Sequence, residues 1–214
     1  MLKTRHTFYI FVHFCLIGEM VHAQNSNETA ITGSQLDALV NSITMVHQQM
    51  KVLSANFTQE KSSALFTEKV VQKGKLCYEA PSKLRWEYQT PKAAILLIND
   101  GKASIITNKG TISNKMLNEL GNMIINTLNG NNLKDNKKFD IKFYKDKQKG
   151  NYIAELKPLD KKLQASYSSI RVIMNGKNYL AENVILNESN GDVTTISFSS
   201  MRTNVTFPEG TFNK

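Results

Sequence analysis

The side chains that most often carry chemistry are scarce in this sequence, and their positions decide which reactions are open. The 214-residue chain has four histidines and two cysteines. His6, His13, His22 and Cys15 all fall within residues 1–23. That stretch has Lys3 and Arg5 at its start, an apolar run from Phe8 to Ile17, and Val21 and Ala23 at the small-residue places before Gln24. The order is that of a secretory signal peptide, removed on export. Its apolar run is about ten residues, whereas a membrane-spanning helix needs about twenty. An uncleaved anchor is the competing reading. His13 and Phe14 are not the small residues that precede a lipoprotein-signal cysteine.

The mature chain would then keep only Cys77 and His47. A single cysteine excludes an intramolecular disulfide, and one Cys with one His cannot assemble a zinc site. A Ser-His-Asp arrangement would have to use His47. Placed beside Gln48 and Gln49, it reads as an exposed helical side chain. Glu79 and Glu87 lie on neighbouring predicted strands, where paired carboxylates could do acid–base work. Cross-strand pairing with Lys75 or Arg85 accounts for them more simply. No Gly-rich phosphate loop is present. The formal charge of +9 falls to +8 when Lys3, Arg5 and Glu19 leave with the signal. The lysines are scattered, as on a solvated surface, although an excess of Lys also suits anionic lipid or an acidic partner. An exported chain has no evident nucleic-acid role. These counts point to a binding protein rather than an enzyme, with no cofactor required.

Elements must position whatever such a protein binds. About 190 residues remain after the signal, enough for one domain with a real core. Residues 24–33 read as a flexible lead-in and residues 34–214 as the single domain. Ser34, with Asp37 three places on, reads as the cap of a first helix. Its apolar stripe is Leu36, Leu39, Val40, Ile43, Val46 and Met50. Period-two alternation begins at Leu53, Ala55 and Phe57, and residues 62–67 read as a turn or irregular edge. Leu76 and Tyr78 share one face of the next strand, with Lys75, Cys77 and Glu79 on the other. Leu84, Trp86 and Tyr88 then alternate with Arg85 and Glu87, and Ile95 to Ile98 is apolar throughout. Asp100-Gly101, Asn175-Gly176 and Asn190-Gly191 supply hairpin chemistry. A second helix over 114–128, capped by Ser113, carries Leu117, Leu120, Ile124 and Leu128, with Met116 and Met123 beside them. The segment 158–167 is expected as a loop holding a short helix. About ten short, mostly antiparallel strands and two amphipathic helices result. A large curved sheet must bury one face, and the helices are the apolar objects available to cover it.

The stretch GKLCYEAPSKLRWEYQTPKAAILLINDG, from Gly74 to Gly101, resembles the signature of the LolA family. Its elements are Gly74, Pro81, Arg85-Trp86-Glu87-Tyr88, Pro91 and Asp100-Gly101. Phe57-Thr58-Gln59 is similar to the family's Phe-x-Gln strand. Tyr167, Ile170, the Gly191-Asp192 turn before Thr195 and Phe198, and the closing Pro208 and Gly210 continue the likeness in order. The resemblance implies a mainly β fold with α (α+β): a half-open antiparallel β-barrel wrapped over helices that form a lid on a hydrophobic cavity. Leu84 and Trp86 fall at family cavity positions, and Leu76 and Tyr78 follow by alternation. Phe57, Tyr88, Ile95 and Leu97 complete the expected lipid-binding set. Met116, Leu117, Leu120, Met123 and Ile124 form the expected lid surface. Methionine suits a surface that must repack.

The resemblance implies a periplasmic carrier of acylated lipoproteins, acting as a monomer. Its implied partners are an inner-membrane ABC lipoprotein-releasing transporter and an outer-membrane acceptor, or the outer membrane itself. Two departures stand out. Ala80 occupies the place of a basic residue in many relatives, and Ala103 to Ile106 replace aromatics after Asp-Gly. Without a basic side chain at 80, the lid is expected to be held mainly by Leu117, Leu120 and Ile124. Two readings compete with lipoprotein transport. One is a same-fold carrier for another envelope lipid or glycolipid, since fold alone does not choose cargo. The other is a non-carrier structural or interaction protein whose cavity stays filled by its lid.

Overall fold

A computed structural model describes residues 27–63, 68–131, 133 and 136–213. The first 23 residues, read above as a signal peptide, lie outside the described residues, as does most of the expected 62–67 turn. Among the described residues the chain forms twelve strands and three helices. It opens with β1 (Glu28–Ile31) and α1 (Gly33–Gln49), followed by β2 (Val52–Ser62), β3 (Val70–Glu79) and β4 (Lys83–Thr90). Then come β5 (Ala94–Asn99), β6 (Lys102–Thr107), β7 (Gly110–Ile112) and α2 (Lys115–Leu128). The last elements are β8 (Phe139–Asp146), β9 (Tyr152–Pro158), α3 (Lys161–Ser166), β10 (Tyr167–Met174), β11 (Ala181–Glu188) and β12 (Val193–Arg202).

All twelve strands join one open antiparallel sheet in the order β1-β8-β9-β10-β11-β12-β2-β3-β4-β5-β6-β7. The sheet is therefore two meanders, β2–β7 and β8–β12, joined at the β12–β2 seam, with β1 added at the β8 edge. Two strands exceed the sequence expectation of about ten. β7 has three residues, too few to show an alternation. β1 lies inside the segment expected as a flexible lead-in, where it pairs with β8 from Glu28↔Asp146 to Ile31↔Phe143. Asp100 (φ 46°) and Gly101 (φ 77°) both adopt the left-handed region that a tight β5–β6 hairpin requires.

Paired residues in an antiparallel ladder share a face, so the register assigns the core. Leu53, Tyr78, Leu84, Ile98 and Ala103 form one row across β2 to β6. Ala55, Leu76, Trp86, Leu96 and Ile105 form the next. The same face continues through Phe198, Val184, Val172, Ala154 and Phe143 on the other meander. Both long helices pack on this inner face, each over its own half. α1 sets Leu39, Val40 and Ile43 against Phe143, Ala154 and Met174. α2 sets Leu117 and Ile125 against Tyr78, Leu84, Ile98 and Ala103. Gly121 is what lets α2 approach so closely, because a Cβ there would stand 3.0 Å from Ala103 Cβ.

The helix starts differ from the sequence reading. Thr32 rather than Ser34 precedes α1, without a side-chain cap bond. Asn114 caps α2 by accepting from Leu117 N at 2.8 Å, while Ser113 donates instead to Ala103 O at 2.7 Å. Asn has the carboxamide oxygen that an N-cap needs, and Ser113 lies close enough to β6 to tie the loop to the sheet. The expected short helix in 158–167 is α3, capped by Asp160.

Candidate functional site

The inner face grades from closed to open as it leaves the helices. Tyr78 and Leu84 are fully buried under α2 and act as core in this closed arrangement. One row on, Trp86, Leu96 and Ile105 are only partly buried, as is Phe198 across the β12–β2 seam. Phe57 (2% exposed) ties these rows together. Its ring lies 5.1 Å from Trp86 and 5.1 Å from Tyr88, and Trp86 lies 5.9 Å from Phe198. Gly74 makes room for that wall. A Cβ there would stand 2.7 Å from the Phe57 ring and 1.9 Å from Glu87 O. Burial pushes the Tyr78 and Tyr88 phenols up, so both stay neutral at physiological pH.

The register separates two expected residues from this wall. Leu97 pairs with Arg85 and Ile95 with Glu87, so both point to the outer face. The run Ile95–Ile98 is apolar on both sides because both sides are partly covered. Outside, the C-terminal segment crosses the strands. Arg85 Nη1 donates to Thr211 O and Asn99 Nδ2 to Phe212 O, each at 3.5 Å, and Phe212 is buried there. Phe57, Leu76, Tyr78, Leu84, Trp86 and Tyr88 do share the inner face.

On the lid, Leu117 is buried and Ile124 partly so. Met123 is half-buried. The side chains of Met116 and Leu120 lie outside the described residues. Ile125, absent from the expected set, is also buried on this helix. Its signal was spacing, since Leu117, Gly121, Ile125 and Leu128 follow the helical repeat once Gly121 is taken as a contact point.

Polar ties, which the sequence reading did not anticipate, hold α2 as well. Ala103 N donates to Asn118 Oδ1 at 2.7 Å near its start. At its end Asn129 accepts from the Tyr78 hydroxyl and donates to Pro81 O at 2.9 Å. The latch thus reaches the turn beside Ala80 from the helix rather than from residue 80. His47 is half-buried rather than exposed, with Nδ1 3.1 Å from Leu128 O and Nε2 3.4 Å from Tyr179 O. The expected pairings of the carboxylates change too. Glu79 meets Lys83 at 2.7 Å instead of Lys75 or Arg85, and Glu87 meets Arg85 at 2.8 Å along β4 rather than across strands, where its register partner is Lys75.

Two hollows frame the site. A cavity of about 60 Å³, lined by His47 and by apolar residues such as Met50, Leu76, Leu128 and Phe198, lies between the two helices and the sheet. Ligand pockets commonly measure roughly 300–1,000 Å³, so this space is too small for a drug-sized ligand as it stands. The larger hollow, about 380 Å³, lies on the outer face between Lys75, Cys77, Arg85, Glu87 and the segment Glu209–Thr211. Burial pushes the Cys77 thiol up, which leaves it protonated and a poor nucleophile. No group of three or more His, Cys, Asp or Glu is placed to hold a metal ion among the described residues.

Several solved structures are similar to this chain. One is a LolA superfamily protein from Nitrosomonas europaea, with 9% identity, 83% of this chain and 97% of that chain covered, and a TM-score of 0.48. Another is a DUF1329 family protein from Desulfovibrio piger, with 12% identity, 82% and 96% coverage, and a TM-score of 0.47. A third is the lipoprotein LppX of Mycobacterium tuberculosis, with 10% identity, 80% and 99% coverage, and a TM-score of 0.43. No curated protein matches. The family model described as "Outer membrane lipoprotein carrier protein LolA" matches residues 48–214. That span runs from the end of α1 through the whole aromatic wall, the lid helix and the closing segment, and the chain belongs to the LolA family.

Proposed function

We propose that this protein is a periplasmic carrier for acylated lipoproteins. It takes them from an inner-membrane ABC transporter and passes them to an outer-membrane acceptor or to the outer membrane itself. The observation that carries the reading is the continuity of the apolar inner face. Its rows run from under α2 into the partly buried Trp86, Leu96, Ile105 and Phe198 without a polar break. Each methylene moved out of water gains about 0.8 kcal/mol. A chain of about fifteen methylenes therefore prefers apolar surroundings by roughly 12 kcal/mol, and its unassisted passage through water is negligible. A small closed cavity under a helix tied by a few hydrogen bonds suits a carrier that fills its own site when empty. The reading invokes no catalysis and no cofactor. It also takes residues 1–23 as the export signal and the monomer as the working unit.

Trp86 is the chain's sole tryptophan, so its emission reports on the site. A solubilised triacyl lipopeptide is expected to change that emission saturably, whereas the unacylated peptide is not. Saturable binding, confirmed by ultracentrifugation, with unchanged emission would move the site away from Trp86. No binding at all would end the carrier reading.

A further inference from the structure

Past the aromatic wall the inner face turns polar. Gln59 pairs with Ile196 on one side and Gln72 on the other, one row beyond Phe57. The Tyr88 hydroxyl donates to Gln59 Oε1 at 3.0 Å, and Gln59 Nε2 donates to Gln72 Oε1 at 3.0 Å. All three side chains are half-buried. One row further, Lys61 Nζ sits 2.8 Å from Glu188 and 3.3 Å from Asp192. Thr194 Oγ1 donates to Glu188 at 3.0 Å.

This order has a chemical meaning for anything whose chains lie on Trp86 and Phe198. The first polar groups it meets are neutral. With Oε1 turned to Gln59, the Gln72 carboxamide carries two N–H donors, and the Tyr88 oxygen keeps lone pairs. The next groups hold one cation between two carboxylates. An uncharged carbonyl gains hydrogen bonds at the first row. A phosphate or carboxylate would be desolvated there, with Lys61 one row on already held between two carboxylates.

We propose that Tyr88, Gln59 and Gln72 form a subsite for the ester or amide linkage of an acyl cargo, favouring lipids with an uncharged linkage region over those that carry an anionic group next to it. The proposal rests on the acyl-carrier reading and adds to it what the rim of the site recognises.

The test compares three probes with identical C16 chains: dipalmitoylglycerol, its dialkyl ether analogue and dipalmitoyl phosphatidate, with a triacyl lipopeptide bearing a neutral peptide as a fourth. Affinities are read from Trp86 emission at constant detergent. The wild type is expected to favour the diester over the diether by roughly tenfold, the scale of one or two net hydrogen bonds. It should favour the diester over phosphatidate by at least as much, with the lipopeptide behaving as the diester. In Tyr88→Phe and Gln72→Leu the diester-to-diether ratio should fall towards one. Gln72→Lys should raise phosphatidate binding severalfold, which tests the charge argument independently of the wall. If no probe binds the wild type, the carrier reading fails and the subsite with it. If all bind but the wild type shows no preference for the diester, or prefers phosphatidate, the subsite is overturned while the carrier reading stands. Unchanged ratios in the variants overturn it as well.

Discussion

Asn129→Ala should loosen the lid by an amount that the structure lets one work out. The Asn129 side chain makes two bonds, one from the hydroxyl of a fully buried Tyr78 and one to the exposed Pro81 carbonyl. The second is replaceable by water and contributes about 0.5 kcal/mol. Removing the first leaves a hydroxyl in an apolar site without its partner, at about 1–3 kcal/mol. The total is on the order of 2 kcal/mol, or about thirtyfold in the opening equilibrium of α2. Native-state amide exchange across residues 117–130 reads that equilibrium, with β9 and β10 amides reporting global stability for comparison. Tyr78→Phe removes donor and orphan together, so it should cost less, and the double variant should recover part of the Asn129→Ala loss. Both bonds are neutral, so the effect should not change between low and moderate salt. Exchange within threefold of wild type, or single effects that simply add in the double variant, would refute this account of the latch.

Other substitutions separate core from site. Leu84→Glu, buried at 0% exposure, should destabilise the whole domain by about 4 kcal/mol or more, visible as loss of the thermal transition. Phe198→Glu, on the partly buried part of the same face, should keep the fold but lose lipopeptide binding; normal binding would take Phe198 out of the site. Gly74→Ala should lower thermal stability by about 1–3 kcal/mol through the clash with Phe57 and Glu87 O, and an unchanged melting temperature would mean that the wall yields. Burial raises the Cys77 pKa, so its thiolate is depleted at neutral pH and gains as pH rises. Iodoacetamide should therefore modify it more slowly than free cysteine at pH 8, with a rate still climbing above pH 9; equal rates would show an unburied thiol.

Much of this arrangement was legible in the sequence because it rests on local signals. Alternation at Leu84, Trp86 and Tyr88 is a property of one strand, and Asp100-Gly101 suits a primed turn wherever it occurs. What was hidden depends on partners distant in sequence. Ile95–Ile98 has no period-two pattern, so the face of each residue is set by its register with β4. On the outer side, where Leu97 is buried, its neighbours Arg85 and Asn99 bond a segment more than a hundred residues later. Asn118 and Asn129 look like ordinary members of an Asn-rich chain until the helix sets them against Ala103 and Tyr78. His47 looked exposed because its α1 neighbours are polar. Its contacts come from Leu128 O and Tyr179 O, which the helix pattern does not encode.

In the proposed transport, the strength of the lid sets how readily cargo is given up to a bilayer. Leu117 and Ile125 are buried against the sheet and Ile124 and Leu128 partly so. At roughly 1.5–3 kcal/mol per fully buried side chain, their apolar contribution is on the order of 6 kcal/mol. One acyl chain taken from water would bring about twice that, enough to offset the contacts α2 would give up in the proposed loading. Once the chain reaches a bilayer it finds equally apolar surroundings, and α2 settles back on the face it left. Closure then favours release, because the empty carrier regains contacts that the loaded one lacks. A lid packed as tightly as a permanent core would refuse cargo, and one with no packing would hold it against the membrane. Ile124 and Leu128, partly buried, lie between those limits, in keeping with the proposed role.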